Sequence, residues 1–322
     1  GRCPLNTPMK LTGASLILVA FLSGWEASGL SHRRPPRAVS TRRDFFIRTS
    51  KASSATLIGA SLLGTAPTQP ALAIASDNGL AAKLRKRDPA ELKNSVFNLP
   101  PAAQTYPDFM KGRWQVESKF GGYLFPSKKI PRDVLVKDFD IPGFQKCSIA
   151  ATCDVGKELA VYEMTIDDKS GLEQRIPTLQ SQIDAYLGYE AVHEVIYDVK
   201  SNPNRISIDF IDYKTVNAER IELFCNARES ELDSENDLFV CSEYMRQVTF
   251  GTGSQEGVPR QVVGNYAHFW TWRGMDDSTL KGNLLTAVYL DAQDALYFDE
   301  PAKPVAVYSH VLSATLKTKP AS

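Results

Sequence analysis

The sequence predicts a mainly β fold: an antiparallel barrel of about 8–10 strands with one or two short helices and a helical N-terminal arm. Three observations carry this. Short runs of alternating apolar and polar residues recur along the chain from Trp114 onward. Turn-forming clusters separate them, such as Gly121-Gly122, Asp168-Lys169-Ser170-Gly171, Ser201-Asn202-Pro203-Asn204 and Met275-Asp276-Asp277. A single helical pattern intervenes, which favours a barrel or sandwich over a doubly wound sheet.

The elements follow in order. Residues 76–105 read as the arm. Within it, Asp88-Pro89-Ala90-Glu91 sets an N-cap, a proline at the first helical position and a glutamate at the third. Leu99-Pro100-Pro101 ends it. The barrel domain spans 106–322. Trp114, Val116, Ser118 and Phe120 alternate with Gln115, Glu117 and Lys119 as a half-buried strand. Further strands are expected at 133–137, 146–154, 159–166, 192–199, 205–213, 220–226, 238–250, 261–273, 281–290 and 305–317. The helix opens at Pro177, lines one face with Leu179, Ile183 and Leu187, and closes at Gly188.

The N-terminal 75 residues read as two stacked leaders. Residues 1–29 have the form of a secretory signal peptide, with Met9 as the expected start, Lys10, an apolar core from Leu16 to Leu22 and small residues at Ala27-Ser28-Gly29. That core is too short to span a bilayer. Residues 30–75 combine an Arg- and Ser/Thr-rich transit segment with a pattern that looks like a twin-arginine signal. Its marks are Arg42-Arg43 followed by Asp44-Phe45-Phe46, and the cleavage-like Ala71-Leu72-Ala73. Pro67 and Pro70 argue against a retained membrane span. This order resembles the targeting of thylakoid-lumen proteins in algae with complex plastids, reached through the secretory pathway. It implies the twin-arginine translocase as an import partner and a domain folded before it crosses.

The chain holds 37 basic and 37 acidic residues. The first 75 residues carry nine Lys or Arg and two acids, which leaves 28 basic and 35 acidic residues in the remaining 247. An acidic body argues against a nucleic-acid partner, because phosphate binding needs a basic footprint.

Four cysteines follow the leader, with no Cys-x-x-Cys among them. Cys147 and Cys153 share parity on one extended run and would lie roughly 20 Å apart. Cys225 and Cys241 are symmetric about Asp233, in a polar loop, so a regular hairpin would set them face to face. A Cys225–Cys241 disulfide and four buried thiols both fit this pattern.

Candidate binding residues concentrate on one strand. Tyr266, His268, Trp270 and Trp272 share a face, with Asn265, Ala267, Phe269, Thr271 and Arg273 on the other. Such a row suits either a packed core or the wall of a pocket for a pigment, lipid or quinone. Trp114 and Tyr289 join it as candidates. His193, His268 and His310 show no metal spacing, and no catalytic serine elbow or dinucleotide fingerprint occurs, so no cofactor is identified. The alternating acids Glu229, Glu231, Asp233, Glu235 and Asp237 lack the glycine and terminal glutamate of a calcium loop; they read as a solvated hairpin tip rather than a docking site.

Gly112-Arg113-Trp114 resembles the Gly-x-Trp start of lipocalins and related ligand-binding barrels, in which the tryptophan closes the floor against the last strand. More extended strings lie downstream: Ala185-Tyr186-Leu187-Gly188, Asn202-Pro203-Asn204-Arg205, Ser242-Glu243-Tyr244-Met245-Arg246-Gln247, Thr286 to Asp294, and Lys303 to Tyr308. Together they resemble an uncharacterised domain family of cyanobacteria and plastids, over about Tyr106 to Leu316. The chain departs from it at Ala292-Gln293-Asp294-Ala295, where prolines are expected. The resemblance implies a lumenal location and no catalytic residues. Three functions follow as expectations. The first is a non-enzymatic lumenal barrel holding a hydrophobic small molecule. The second is an accessory factor of a photosynthetic membrane complex, acting through its surface near Ser127–Arg132 or the acidic hairpin. The third is a lumenal lipocalin-type enzyme using carboxylates such as Asp209, Asp212 and Glu222.

Overall fold

The computed structural model describes residues 73–74, 79–94, 101–136, 156–215, 218–251 and 261–318. These all belong to one compact unit, residues 64–322. Arg42, Arg43, Ala71, Cys147, Cys153 and the strand expected at 146–154 lie outside the described residues. No described helix is long and apolar enough to cross a membrane.

The strands are β1 (Ala73–Ile74), β2 (Gly112–Leu124), β3 (Ala160–Ile166), β4 (Val192–Ile196), β5 (Arg205–Phe210), β6 (Arg220–Asp233), β7 (Leu238–Phe250), β8 (Gln261–Asp276), β9 (Thr279–Tyr289) and β10 (Ala306–Thr318). The helices are α1 (Leu80–Arg85), α2 (Arg132–Leu135) and α3 (Arg175–Leu187). Nine strands form one antiparallel path in the order β3-β2-β10-β9-β8-β7-β6-β5-β4, and β1 adds to β6 in parallel, with Ala73 opposite Glu231. Strands adjacent in sequence are mostly adjacent in the sheet, as an up-and-down meander requires.

Among the described residues the expected barrel does not close through backbone pairing. β3 and β4 are the two free edges, and α3, the helix that joins them, lies against both. The sheet is therefore a curled half-barrel with a helix in its seam. Side chains of α3 stand in for the missing strand pairing. Ser181 Oγ accepts from Glu163 N at 3.0 Å, and Thr178 Oγ1 accepts from Thr165 N at 3.3 Å, both on β3. On the other side, Asp184 Oδ1 accepts from Ala191 N at 2.8 Å and Val192 N at 2.9 Å, at the start of β4. Edge amides left bare in a seam would carry a desolvation penalty, which these contacts remove. α3 ends at Gly188, whose φ of 84° is the left-handed cap favoured by glycine.

Two apolar layers flank the sheet. The concave side packs Trp114, Phe239, Trp272 and Leu312 near one end, and Ile208, Ile221, Leu223 and Met245 beneath Ile183 of α3 at the other. The opposite side packs Val240, Tyr244, Phe269 and Ala287 under Leu80 and Ala81 of α1. The arm is docked by polar contacts as well. Glu231, buried on β6, accepts from the backbone of Leu80 and from Ala81 N, and Glu229 pairs with Lys83 at 3.3 Å. A Cβ at Gly79 would overlap the Glu231 carboxylate, so a larger residue there would push aside the group that holds the arm. Asp88 caps the next turn by accepting from Ala90 N at 2.9 Å, with Pro89 at its first position.

Three expectations are corrected. Residues 132–135 form α2 rather than a strand; Pro131 sets the helix start, and Leu135 and Val136 bury against Val288 and Tyr308 at one end of the sheet. Glu229, Glu231 and Asp233 belong to β6, not to the hairpin tip, and the first two hold the arm. The β6–β7 turn lies beyond Asp233, which pairs with Leu238. Cys241 thus faces Ser230, and Cys225 faces Met245. The cysteines sit four residues apart along the ladder, on the order of 13 Å, and both are buried free thiols.

Candidate functional site

β8 brings its aromatic row to the concave side. Tyr266 and His268 have ring centroids 4.9 Å apart, and His268 and Trp270 5.0 Å. Period-two alternation places them on one face, and the neighbouring strands keep that face inward. His268 Nδ1 lies 3.0 Å from Thr286 Oγ1, its direct partner on β9. Tyr266 is buried, whereas His268 and Trp270 are half-buried, so solvent reaches the middle of the row. Across from them stand Leu179, Ile183 and Tyr186 of α3, and a cavity of about 70 Å³ lies between. That holds a few water molecules. It is well below the roughly 300–1,000 Å³ of a typical ligand pocket.

The polar end of this cavity is ionic. Arg175, in the first turn of α3, makes a bidentate contact with Glu243 of β7, one bond measuring 3.1 Å. Arg228 of β6 donates its Nε to the same carboxylate at 2.6 Å. Its remaining donors reach Asn204 Oδ1 at 3.0 Å and the Ala102 and Pro203 carbonyls at 2.8 and 3.1 Å. Glu173 lies 3.6 Å from Arg175 Nε and accepts from the Tyr106 hydroxyl at 3.3 Å. Burial opposes ionisation of Glu243, but the two guanidiniums outweigh it and hold its pKa at about 2. Glu173 goes the other way: burial raises it, and Arg175 offsets this only in part. The cavity therefore has one carboxylate held low by two guanidiniums, one raised by burial, and an arginine between them.

The expected site residues separate into three places. Tyr266, His268 and Trp270 line the cavity. Trp272 and Trp114 are packed into the core farther along, where Trp114 Nε1 donates to Met110 O at 2.8 Å and its backbone pairs with Leu316 of the last strand. Tyr289 lies on the opposite side of the sheet, its hydroxyl donating to Leu92 O of the arm at 2.8 Å. The carboxylates weighed for catalysis are not gathered at the cavity. Glu222 is held by Arg205, Ser207 and Arg220 at 3.0, 2.7 and 2.6 Å, Asp209 by Arg220 at 3.3 Å, and Asp212 is exposed. No group of metal-ligating side chains occurs among the described residues.

The Arg175–Glu243–Arg228 cluster had no mark in the sequence. A β-bulge between Cys225 and Ala227 reverses the parity of β6. It turns Arg228 inward, toward Glu243, where simple alternation from Ile221, Leu223 and Cys225 points it outward.

The buried thiols add no reactive group. Burial pushes the Cys225 thiol up to about 12 and raises Cys241 well above its ordinary value.

Residues 175–315 match a family described as a domain of unknown function (DUF6816). The match starts at the first residue of α3 and ends inside β10, so it includes the aromatic row, Glu243, Arg228 and the seam helix. No curated protein and no solved structure matches the chain.

Proposed function

We propose that this is a non-enzymatic binding protein of the thylakoid lumen, which takes the ring or head of a partly apolar small molecule into the cleft beneath α3. One observation carries the reading: His268 and Trp270 face inward yet remain half-buried, beside an arginine–carboxylate cluster. Large aromatic groups left partly open next to a few fixed polar groups are the usual makeup of a small-molecule site. The aromatic row would hold the apolar part, and Arg175 with Glu173 the polar end. The present cavity is too small for a whole pigment, lipid or quinone, so α3 must move outward as the ligand enters, with the rest of the molecule left outside the mouth.

The lipocalin-like reading has the support of Gly112-Arg113-Trp114, whose tryptophan sits against the last strand, and of the sequential meander. The lumenal location has the support of the tandem leader alone. Native mass spectrometry of the protein isolated from its source tests the binding. The expected result is a non-covalent mass that Trp270→Ala or His268→Ala removes while far-ultraviolet circular dichroism stays unchanged. A ligand-free protein, or a mass retained by both variants, refutes it. Arg42→Lys/Arg43→Lys, followed by fractionation of thylakoids, tests the address; undiminished arrival in the lumen rejects it.

A further inference from the structure

The side of the sheet away from α3 carries an open groove along α1. It consists of two contiguous depressions of about 600 and 610 Å³, which share Leu84 and Arg87 on the arm and Thr271 and Asn283 on the sheet. One end is apolar, with Phe269, Leu285, Val307 and Leu124. The other is cationic, with Arg85, Arg87, Arg273 and Lys281.

Arg273 on β8 and Lys281 on β9 are direct cross-strand partners, and both are exposed. Like charges directly opposite each other destabilise a sheet. The same rung continues to Leu238 on β7 and Ser313 on β10, so neither adjoining strand places an acid beside the pair. Arg85, Arg87 and Arg273 make no ion pair among the described residues. Asp88 is the one carboxylate lining either depression among the described residues. This concentration of positive charge stands on a domain in which acids outnumber bases, 35 to 28 after residue 75.

We propose that this groove docks an extended acidic polypeptide segment of a partner protein, carrying an apolar side chain at one end. The cations take the acidic stretch, and the Leu285–Leu124 end takes the apolar anchor. The middle of the floor, Thr271 and Asn283, selects a polypeptide over an acyl chain. Peptide amides can hydrogen-bond to those groups, whereas a hydrocarbon would leave them unpaired. The site is independent of the cleft beneath α3, which lies on the other face.

Fluorescence anisotropy with the full chain and a labelled peptide, a run of glutamates followed by two leucines, tests this. Binding is expected to weaken with added salt. It should fall about tenfold in the Arg273→Ala/Lys281→Ala variant. In Arg273→Glu/Lys281→Glu it should transfer to the lysine-for-glutamate peptide. The alanine variant removes a repulsion and also the 2.8 Å bond from Lys281 Nζ to Ser313 Oγ, so its melting temperature is read alongside, and the transfer of binding in the glutamate variant separates loss of binding from loss of fold. Equal peptide affinity in parent and alanine variant overturns the proposal. So does binding to phosphatidylglycerol vesicles with none to the peptide, which makes the groove a membrane surface.

Discussion

Glu243 is the residue on which the interior charge balance turns. It is buried between two guanidiniums, and removing it leaves Arg175 and Arg228 facing each other with Glu173 as the nearest counter-charge. Breaking a buried pair from one side costs about 3–5 kcal/mol, so Glu243→Gln should lower the urea midpoint sharply at neutral pH. The pH dependence has a definite sign. Glu243 ionises at about 2 in the fold against 4.5 ordinarily. Its contribution is complete above about pH 4.5 and disappears as pH falls toward 2, a loss of about 3 kcal/mol. Glu173 is raised instead, so it favours the fold at low pH and opposes it as pH rises through its folded pKa. Urea titrations of the parent and Glu243→Gln from pH 6 to 2 separate these effects: the parent should lose stability steeply below 4.5, and the variant should lack that limb. Identical slopes would show that other carboxylates govern acid unfolding. Parity arguments found Tyr266, His268 and Trp270 because β8 alternates without interruption over that stretch. They missed Arg228 because one extra residue in β6 inverts every side chain after it, and nothing local in Cys225-Asn226-Ala227 announces the bulge.

At the scale of elements, strands were legible and their closure was not. β7 begins and ends where alternation places it, and β8, β9 and β10 differ only at their ends. Whether β3 meets β4 depends on contacts far apart in sequence, and no local pattern encodes them. A helix opening at Pro177 and closing at Gly188 is legible, but nothing in the pattern marks its polar residues Thr178, Ser181 and Asp184 as the ones that hold the seam. These groups are acceptors for strand amides, so their loss should cost more than an exposed substitution. Asp184→Ala strips the partner from two amides at once and should destabilise by about 2–3 kcal/mol; Ser181→Ala removes one and should cost about 1 kcal/mol. Asp184→Asn keeps an acceptor and should fall between the parent and Asp184→Ala. Chemical denaturation at neutral pH ranks the three. Equal stability of Asp184→Ala and the parent would mean that water replaces the carboxylate without loss, and that α3 does not hold the seam.

For the folded unit as a whole, stability is distributed unevenly, and the distribution bears on function. β7, β8 and β9 have strand partners on both sides, whereas β3 and β4 have one each and rely on α3 for the other. Regions held by few contacts open at a lower free energy than doubly paired strands. Native-state hydrogen exchange should therefore show α3 and the amides of Glu163, Thr165, Ala191 and Val192 opening together, ahead of the centres of β8 and β9. Under the proposed binding function, the 70 Å³ cavity makes such an opening necessary. A ligand larger than a few waters can enter only if α3 moves, and it then binds a state that is a minor population without it. Ligand bound in the cleft should accordingly slow exchange along α3 and the seam, and should slow the β8–β9 centre as well, because a ligand that binds the fold and not the unfolded chain raises the free energy of global unfolding. If the seam and the central strands instead exchange at one common rate, α3 has no separate opening. The interior would then be a closed core, the aromatic row would be packing alone, and binding would have to be sought on the arm side of the sheet.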